Sequence, residues 1–205
     1  MGVSITFLSD FGLQDEWVAV CKGVIFGIFP EAVVIDITHE IPPFDIRKGA
    51  LAMASALPFM PQGVHLGVVD PGVGTRRRAL VLEVERGDYL VGPDNGLLIP
   101  AARALGGIEK AVEITNERYM LQPVCPTFHG RDVFAPVAAH LARGVDITEF
   151  GPSIEVKTLE KAPWPEPRIK GREIFAEVID VDRFGTLRFS ISRVDLAERG
   201  VRLGV

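Results

Sequence analysis

The residue types most suited to chemistry in this sequence lie in the segment Asp70-Pro71-Gly72-Val73-Gly74-Thr75-Arg76-Arg77-Arg78. An apolar run, Val64 to Val69, precedes the acid, and a second, Ala79 to Val84, follows the arginines, so both flanks read as buried strands. Pro71 presets φ at the second position of a turn. Gly72 is expected to supply the positive φ of a type II turn, and Gly74 a second sharp bend. So short a connection can return an arginine beside Asp70, and a carboxylate facing a guanidinium at a strand end is a place for chemistry. The competing reading is a hairpin turn whose aspartate caps local amides and whose arginines are solvated. These residues alone do not separate the two.

Two further segments carry suitable groups. Ser9-Asp10-Phe11-Gly12 closes the first apolar run. Phe128-His129-Gly130-Arg131-Asp132 sets an imidazole just before a helix, in a polar, tightly bent stretch that a core has no use for. Gly92-Pro93-Asp94-Asn95-Gly96 reads as turn chemistry.

The elements that must position these residues alternate in type. Ser4 to Leu8 is a strand, Val18 to Ile28 an amphipathic helix ended by Pro30, and Val33 to Ile37 a strand. A helix through Gly49 to Leu57, stopped by Pro58, leads to the strand that ends at Asp70. Strand–helix–strand alternation predicts parallel pairing with right-handed crossovers. Ligands of such sheets gather beyond the carboxyl ends of the strands, which is where Asp10 and Asp70 fall. Tyr89 to Val91 and Ala111 to Thr115 add strands, Leu97 to Leu105 a helical patch, and Val133 to Leu141 a helix. The fold class is therefore α/β: an N-terminal layered domain over residues 1–151 with a largely parallel sheet. A Pro-rich linker follows over 152–167, and a small, partial C-terminal β domain over 168–205. A fragment that short cannot bury a core of its own and must lean on the first domain or on a neighbouring subunit.

Composition bounds the rest. The chain has 205 residues, 47% of them hydrophobic and 24% charged, with net charge -5. That suits one or two soluble domains and argues against a nucleic-acid role. Cys21 and Cys125 lack metal-ligand spacing and are expected to be reduced, buried thiols of a cytoplasmic protein. The start of the chain lacks a signal peptide, and the best apolar helix, broken by Lys22, is too short to span a membrane.

Taken in this order, the Ser9–Gly12, Val69–Gly74, Gly92–Gly96, Phe128–Asp132 and Asp182-Arg183-Phe184-Gly185 motifs resemble those of the S-adenosylmethionine (SAM) hydroxide adenosyltransferase family. These are SAM hydrolases related to the fluorinase and chlorinase halogenases. The resemblance runs over nearly the whole chain. It implies attack of water on ribose C5′ and release of methionine and adenosine, with SAM as substrate and no cofactor or metal. The implied catalytic residues are Asp70, Arg77 and His129. The resemblance further implies that Asp10 holds the ribose hydroxyls, that Phe44, Phe128 and Gly130 border the substrate, and that Asp182 lies where the methionine end is held. It implies a homotrimer with substrate between the large domain of one subunit and the small domain of the next. Family members usually carry Asn where this chain has Thr186, a shorter group with different geometry at the methionine end. They also continue past the equivalent of residue 205, so the expectation is a truncated chain. The halogenase relatives place small, hydroxyl-bearing groups where a halide sits, and Asp70 would repel a halide, so water is the expected nucleophile.

Two rivals stand beside this reading. Asp10, Asp36, His39, His65, Asp70, His129 and Asp132 include the ligand types of a metal-dependent phosphohydrolase, though no HxxxH, HxH or DxH spacing occurs. A non-catalytic adenosine- or SAM-binding module is the other, favoured by the short carboxyl terminus. A dinucleotide site is weaker still, since Gly72-Val73-Gly74 lacks a third glycine and leads into a strand.

Overall fold

Every residue of the first strand, β1 (Ser4–Ser9), is buried, as a sheet covered on both faces requires. The structure, a computed structural model, describes residues 3–170, 173–191, 196 and 200. After β1 come α1 (Trp17–Ile28), β2 (Val33–Thr38), α2 (Ile46–Ala56) and β3 (Gly63–Val68). Both β2 and β3 pair in parallel with β1, as the alternation predicts. Asp45 starts α2 by accepting the Lys48 amide at 2.9 Å, and Pro58 ends it.

Beyond β3 the sheet departs from the hairpin reading. β4 (Ala79–Val84) does not lie beside β3. β5 (Tyr89–Pro93) intervenes, parallel to β3 and antiparallel to β4, and β6 (Ile108–Glu113) takes the other side of β4. The order is β2-β1-β3-β5-β4-β6. The tight turn after β4 explains this. Gly87 has φ 84°, and the Val84 amide donates to the Asp88 carbonyl at 3.1 Å, so the shorter connection makes the hairpin. The Asp70–Arg78 connection is left to step across the end of β5. Within it, the positive φ falls on Gly74 (74°), not on Gly72.

Helices cover both faces. α1 and α4 (Ala135–Ala142) pack with Ile5, Phe7, Leu66, Val81 and Val91 on one side. On the other, α2 and α3 (Ile99–Ala104) bring Met53 close over Gly67, and Leu98 packs at Gly92. The helix expected from Val133 begins instead as a single π-helical turn, Gly130–Phe134, in which the Ala135 amide reaches back to the Gly130 carbonyl.

The chain divides into two compact units, Met1–Ala162 and Pro163–Val205. Residues 152–162, expected as the start of a linker, are bonded into the first unit. The Glu113 amide donates to the Pro152 carbonyl at 3.0 Å and the Ile154 amide to the Ala111 carbonyl at 2.9 Å. β6 is an edge strand, and this segment satisfies its open backbone groups. In the second unit β7 (Arg168–Lys170) pairs with β8 (Glu173–Phe175), and β9 (Val178–Val181) with β10 (Leu187–Phe189), both antiparallel. Residues 171, 172, 192–195, 197–199 and 201–205 of the expected β domain lie outside the described residues. Among the described residues no helix is long and apolar enough to cross a membrane.

Candidate active site

β1 and β3 are adjacent and parallel, so Asp10 and Asp70, each just past a strand end, come out on the same edge of the sheet. Both line a cleft of about 270 Å³. His129, at the start of the π-helical turn, enters it from the other side with Phe128 and Gly130. Arg77 links the two sides. Its Nε donates to Asp70 Oδ1 at 2.9 Å and Oδ2 at 3.0 Å, its Nη2 also reaches Oδ2, and the same Nη2 lies 2.9 Å from His129 Nδ1. Phe134 of the π-helical turn carries the guanidinium at 5.0 Å from its ring centroid. The arginine that meets Asp70 is thus Arg77. Arg78, next in sequence, points to Asp94 at 2.8 Å. Arg77 sits behind Asp70 and His129 rather than in the cleft wall, so it acts on the cleft through them.

The protonation pattern follows. A guanidinium only donates, so His129 Nδ1 is a bare acceptor and the ring proton is on Nε2. Burial, then the neighbouring Arg77 charge, holds the His129 pKa below its ordinary value. Asp10 is pushed up, chiefly by burial and also by the nearby Asp70 charge, although the Phe44 amide donates to its Oδ2 at 2.8 Å and pulls the other way. Phe44 achieves that contact with φ 65°, a left-handed backbone rare outside glycine, and the residue is 67% exposed.

Sequence reasoning missed the rest of the wall: Phe11, Trp17, Pro43, Val68, Val73 and Thr127. Trp17 stacks edge-on against Phe128 at 5.1 Å and Phe11 does so at 5.8 Å. The available signal was position: Phe11 follows Asp10 directly, and Trp17 is a partly exposed aromatic at the start of α1. A Cβ on Gly130 would come within 2.7 Å of Phe11 Cζ, so the residue beside His129 is small because the Phe11 ring occupies its side.

Asp182 and Thr186 lie in the second unit, in the turn between β9 and β10. There the Asp182 carboxylate accepts the Phe184 and Thr186 amides at 2.8 and 2.9 Å. The remaining candidate metal ligands are engaged in side-chain pairs: Asp36 with Lys22 at 2.6 Å and with His39 Nε2 at 3.1 Å, His65 with Asp88 at 3.0 Å, and Asp132 with Arg131 at 2.5 Å. His39 Nδ1 meets the Ser9 hydroxyl at 2.7 Å. Among the described residues no three His, Cys, Asp or Glu side chains converge as a ligand cluster. Of the two thiols, Cys21 is buried, and burial pushes it up to about 12. Cys125, expected to be buried as well, is only partly so, because it sits on the loop before His129 with its sulfur 3.3 Å from the Thr127 hydroxyl.

A family model described as the SAM hydroxide adenosyltransferase N-terminal domain matches residues 5–151. The chain is 50% identical over 188 residues to the (R)-S-adenosyl-L-methionine hydrolase of Salinispora tropica, a match covering 92% of this chain and 72% of that protein. The protein of the same name from Thermus thermophilus is 46% identical over 189 residues, covering 88% and 71%. A fluorinase from Actinoplanes is 29% identical over 222 residues, covering 96% of this chain and 74% of the fluorinase. Among solved structures, an uncharacterized conserved protein from Thermotoga maritima matches with a TM-score of 0.84 at 38% identity, over 97% of this chain and 75% of that one. With residues 5–151 matched by the family model and about nine-tenths of its length matched by relatives, the chain belongs to the SAM hydroxide adenosyltransferase family.

Proposed function

We propose that this protein hydrolyses S-adenosyl-L-methionine to adenosine and L-methionine, and that Asp70, Arg77 and His129 carry the reaction. The observation that supports it is the unbroken line Asp70–Arg77–His129, in which Arg77 joins the two sides of the cleft from behind, in a chain whose relatives bear the hydrolase name. A sulfonium leaves as a neutral thioether, so the scarce partner is the nucleophile: water has a pKa of about 15.7. The water oxygen attacks C5′, the C5′–S bond breaks with its electron pair going to sulfur, and the water proton passes to Asp70 and on to solvent. Asp70 orients the water, the Arg77 charge behind it favours the developing hydroxide, and neutral His129 offers its Nε2–H as a second fixed direction. A negative nucleophile meeting a positive sulfonium loses charge on the way to the transition state, which a dry cleft favours. Orientation effects of this kind are worth at most about 7–11 kcal/mol.

The substrate is held with Asp10 at the ribose hydroxyls, Phe44, Phe128 and Gly130 along the sugar, and Asp182 and Thr186 at the methionine end. The chemistry calls for neither cofactor nor metal, in a cytoplasmic homotrimer in which each cleft is completed by the small domain of a neighbour. Supporting this is the second unit, whose Phe175, Val181, Phe184, Leu187 and Phe189 are 47–85% exposed, an apolar load that calls for cover. The deciding experiment is incubation with SAM in oxygen-18 water. Label in the adenosine 5′-hydroxyl supports the reading. Halogenated adenosine, loss of all activity with EDTA, or tight SAM binding without methionine release would each replace it.

A further inference from the structure

The sheet order has a chemical corollary. Asp70 follows β3 and Arg77 precedes β4, yet β5 lies between those strands. The ion pair is therefore made across the end of β5, and what fills that end decides how far apart its two members stand. The fill is the dipeptide Asp94-Asn95. Asn95 Nδ2 donates to the Val69 carbonyl, next to Asp70, at 2.9 Å, while its Oδ1 accepts the Leu97 backbone amide at 3.1 Å. The Asp94 carboxylate accepts Arg78 Nε, next to Arg77, at 2.8 Å, and the Asp94 amide donates to the Arg78 carbonyl at 2.9 Å. Its other oxygen accepts the Glu160 amide at 3.0 Å. Each member of the Asp70–Arg77 pair is thus clamped through its chain neighbour, and both clamps spring from adjacent residues of one turn. Neither Asp94 nor Asn95 lines the cleft.

We propose that Asp94 and Asn95 are positioning residues for the reaction, setting the spacing of Asp70 and Arg77 from behind the cleft. This rests on the hydrolase reading above. A turn that merely closed the fold would need its backbone and Gly96; it would not need one amide donor aimed at residue 69 and one carboxylate aimed at residue 78. Because Arg77 also faces His129 at 2.9 Å, a slip at the clamp carries through to the imidazole, which has Asp70 and Asp132 as its other charged neighbours.

Asn95→Asp separates positioning from scaffolding. It keeps shape and the acceptor for the Leu97 amide, but puts an oxygen against the Val69 carbonyl. We expect kcat for SAM to fall at least tenfold with KM changed less than threefold, and the same from Asp94→Asn. In an Arg77→Lys background the further loss from Asn95→Asp should be under twofold, because the spacing it protects is already gone. A second readout needs no turnover: histidine proton NMR should show the His129 titration moving up in both Asn95→Asp and Asp94→Asn as the guanidinium withdraws, whereas the charge changes alone, opposite in sign, would move it in opposite directions. Full kcat in both variants, or equal losses with and without Arg77, or an unmoved His129 titration, overturns the proposal. If the wild-type protein releases no methionine from SAM, the hydrolase reading fails, and the NMR arm alone decides the clamp.

Discussion

At the scale of the residue, the arginine between Asp70 and His129 dictates what each neighbour can do. Arg77 has only donors to offer, so a protonated His129 cannot face it, and activity should track the neutral ring. The sign is fixed by the direction of the shift. Burial and the Arg77 charge lower the His129 pKa, so neutral imidazole persists to more acidic pH than the ordinary 6.5. A kcat–pH profile is expected to show its acid limb below that value. His129→Ala should cut kcat about 10²–10⁴-fold without unfolding the protein, checked by methionine release and circular dichroism. Arg77→Lys replaces a planar fork that holds two partners by a point charge that holds one, and should cost about 10²-fold. The sequence motif revealed that these residues belong together, and the turn predicted that an arginine returns to Asp70. It did not reveal that Arg77 stands behind the cleft wall, because depth depends on Phe134 and on the strand order, both distant in sequence.

At the scale of the element, two features escaped pattern reading for the same reason. The place of β5 between β3 and β4 depends on which of two turns is tighter, and both contain glycines and arginines. The π-helical turn after His129 carries the same apolar periodicity as an ordinary helix start, since Val133, Phe134 and Val137 still face the core. Its wide turn sets Gly130 and Phe134 around His129 and Arg77, a common place for such insertions. The parallel trio β2-β1-β3 was legible because fully buried apolar runs and Pro- or Gly-ended helices leave few alternatives. The wall at Gly130 supplies a test. In Gly130→Ala the new methyl must displace the Phe11 ring, which is partly exposed and moves into the cleft. KM for SAM should rise several-fold while stability changes by about 1 kcal/mol, measured by steady-state kinetics and thermal melting.

At the scale of the whole molecule, buried ionisable groups set the tolerance to acid. Burial holds His39, His129 and His140 below 6.5, so the unfolded chain takes up protons first, and stability falls as pH drops through that value. A second loss belongs to Asp88. Burial pushes its pKa up, but His65, the Arg86 guanidinium and the Gly63 amide outweigh it and hold it far below its ordinary 3.8. Its contribution is therefore present above that pH and lost below it. Asp88→Asn should cost about 2–3 kcal/mol at pH 7 and flatten the low-pH step in a melting series. A core network so far from the cleft left no motif in the sequence; His65 there was simply one more possible ligand. Phe44 draws stability the other way. Its left-handed backbone costs about 1–2 kcal/mol, set against a single amide contact with Asp10. Phe44→Asn should melt no lower than the parent and grip the nucleoside less well. A population selected for heat resistance alone would discard that phenylalanine early, so its persistence under such selection would measure how much the organism depends on turnover rather than on endurance.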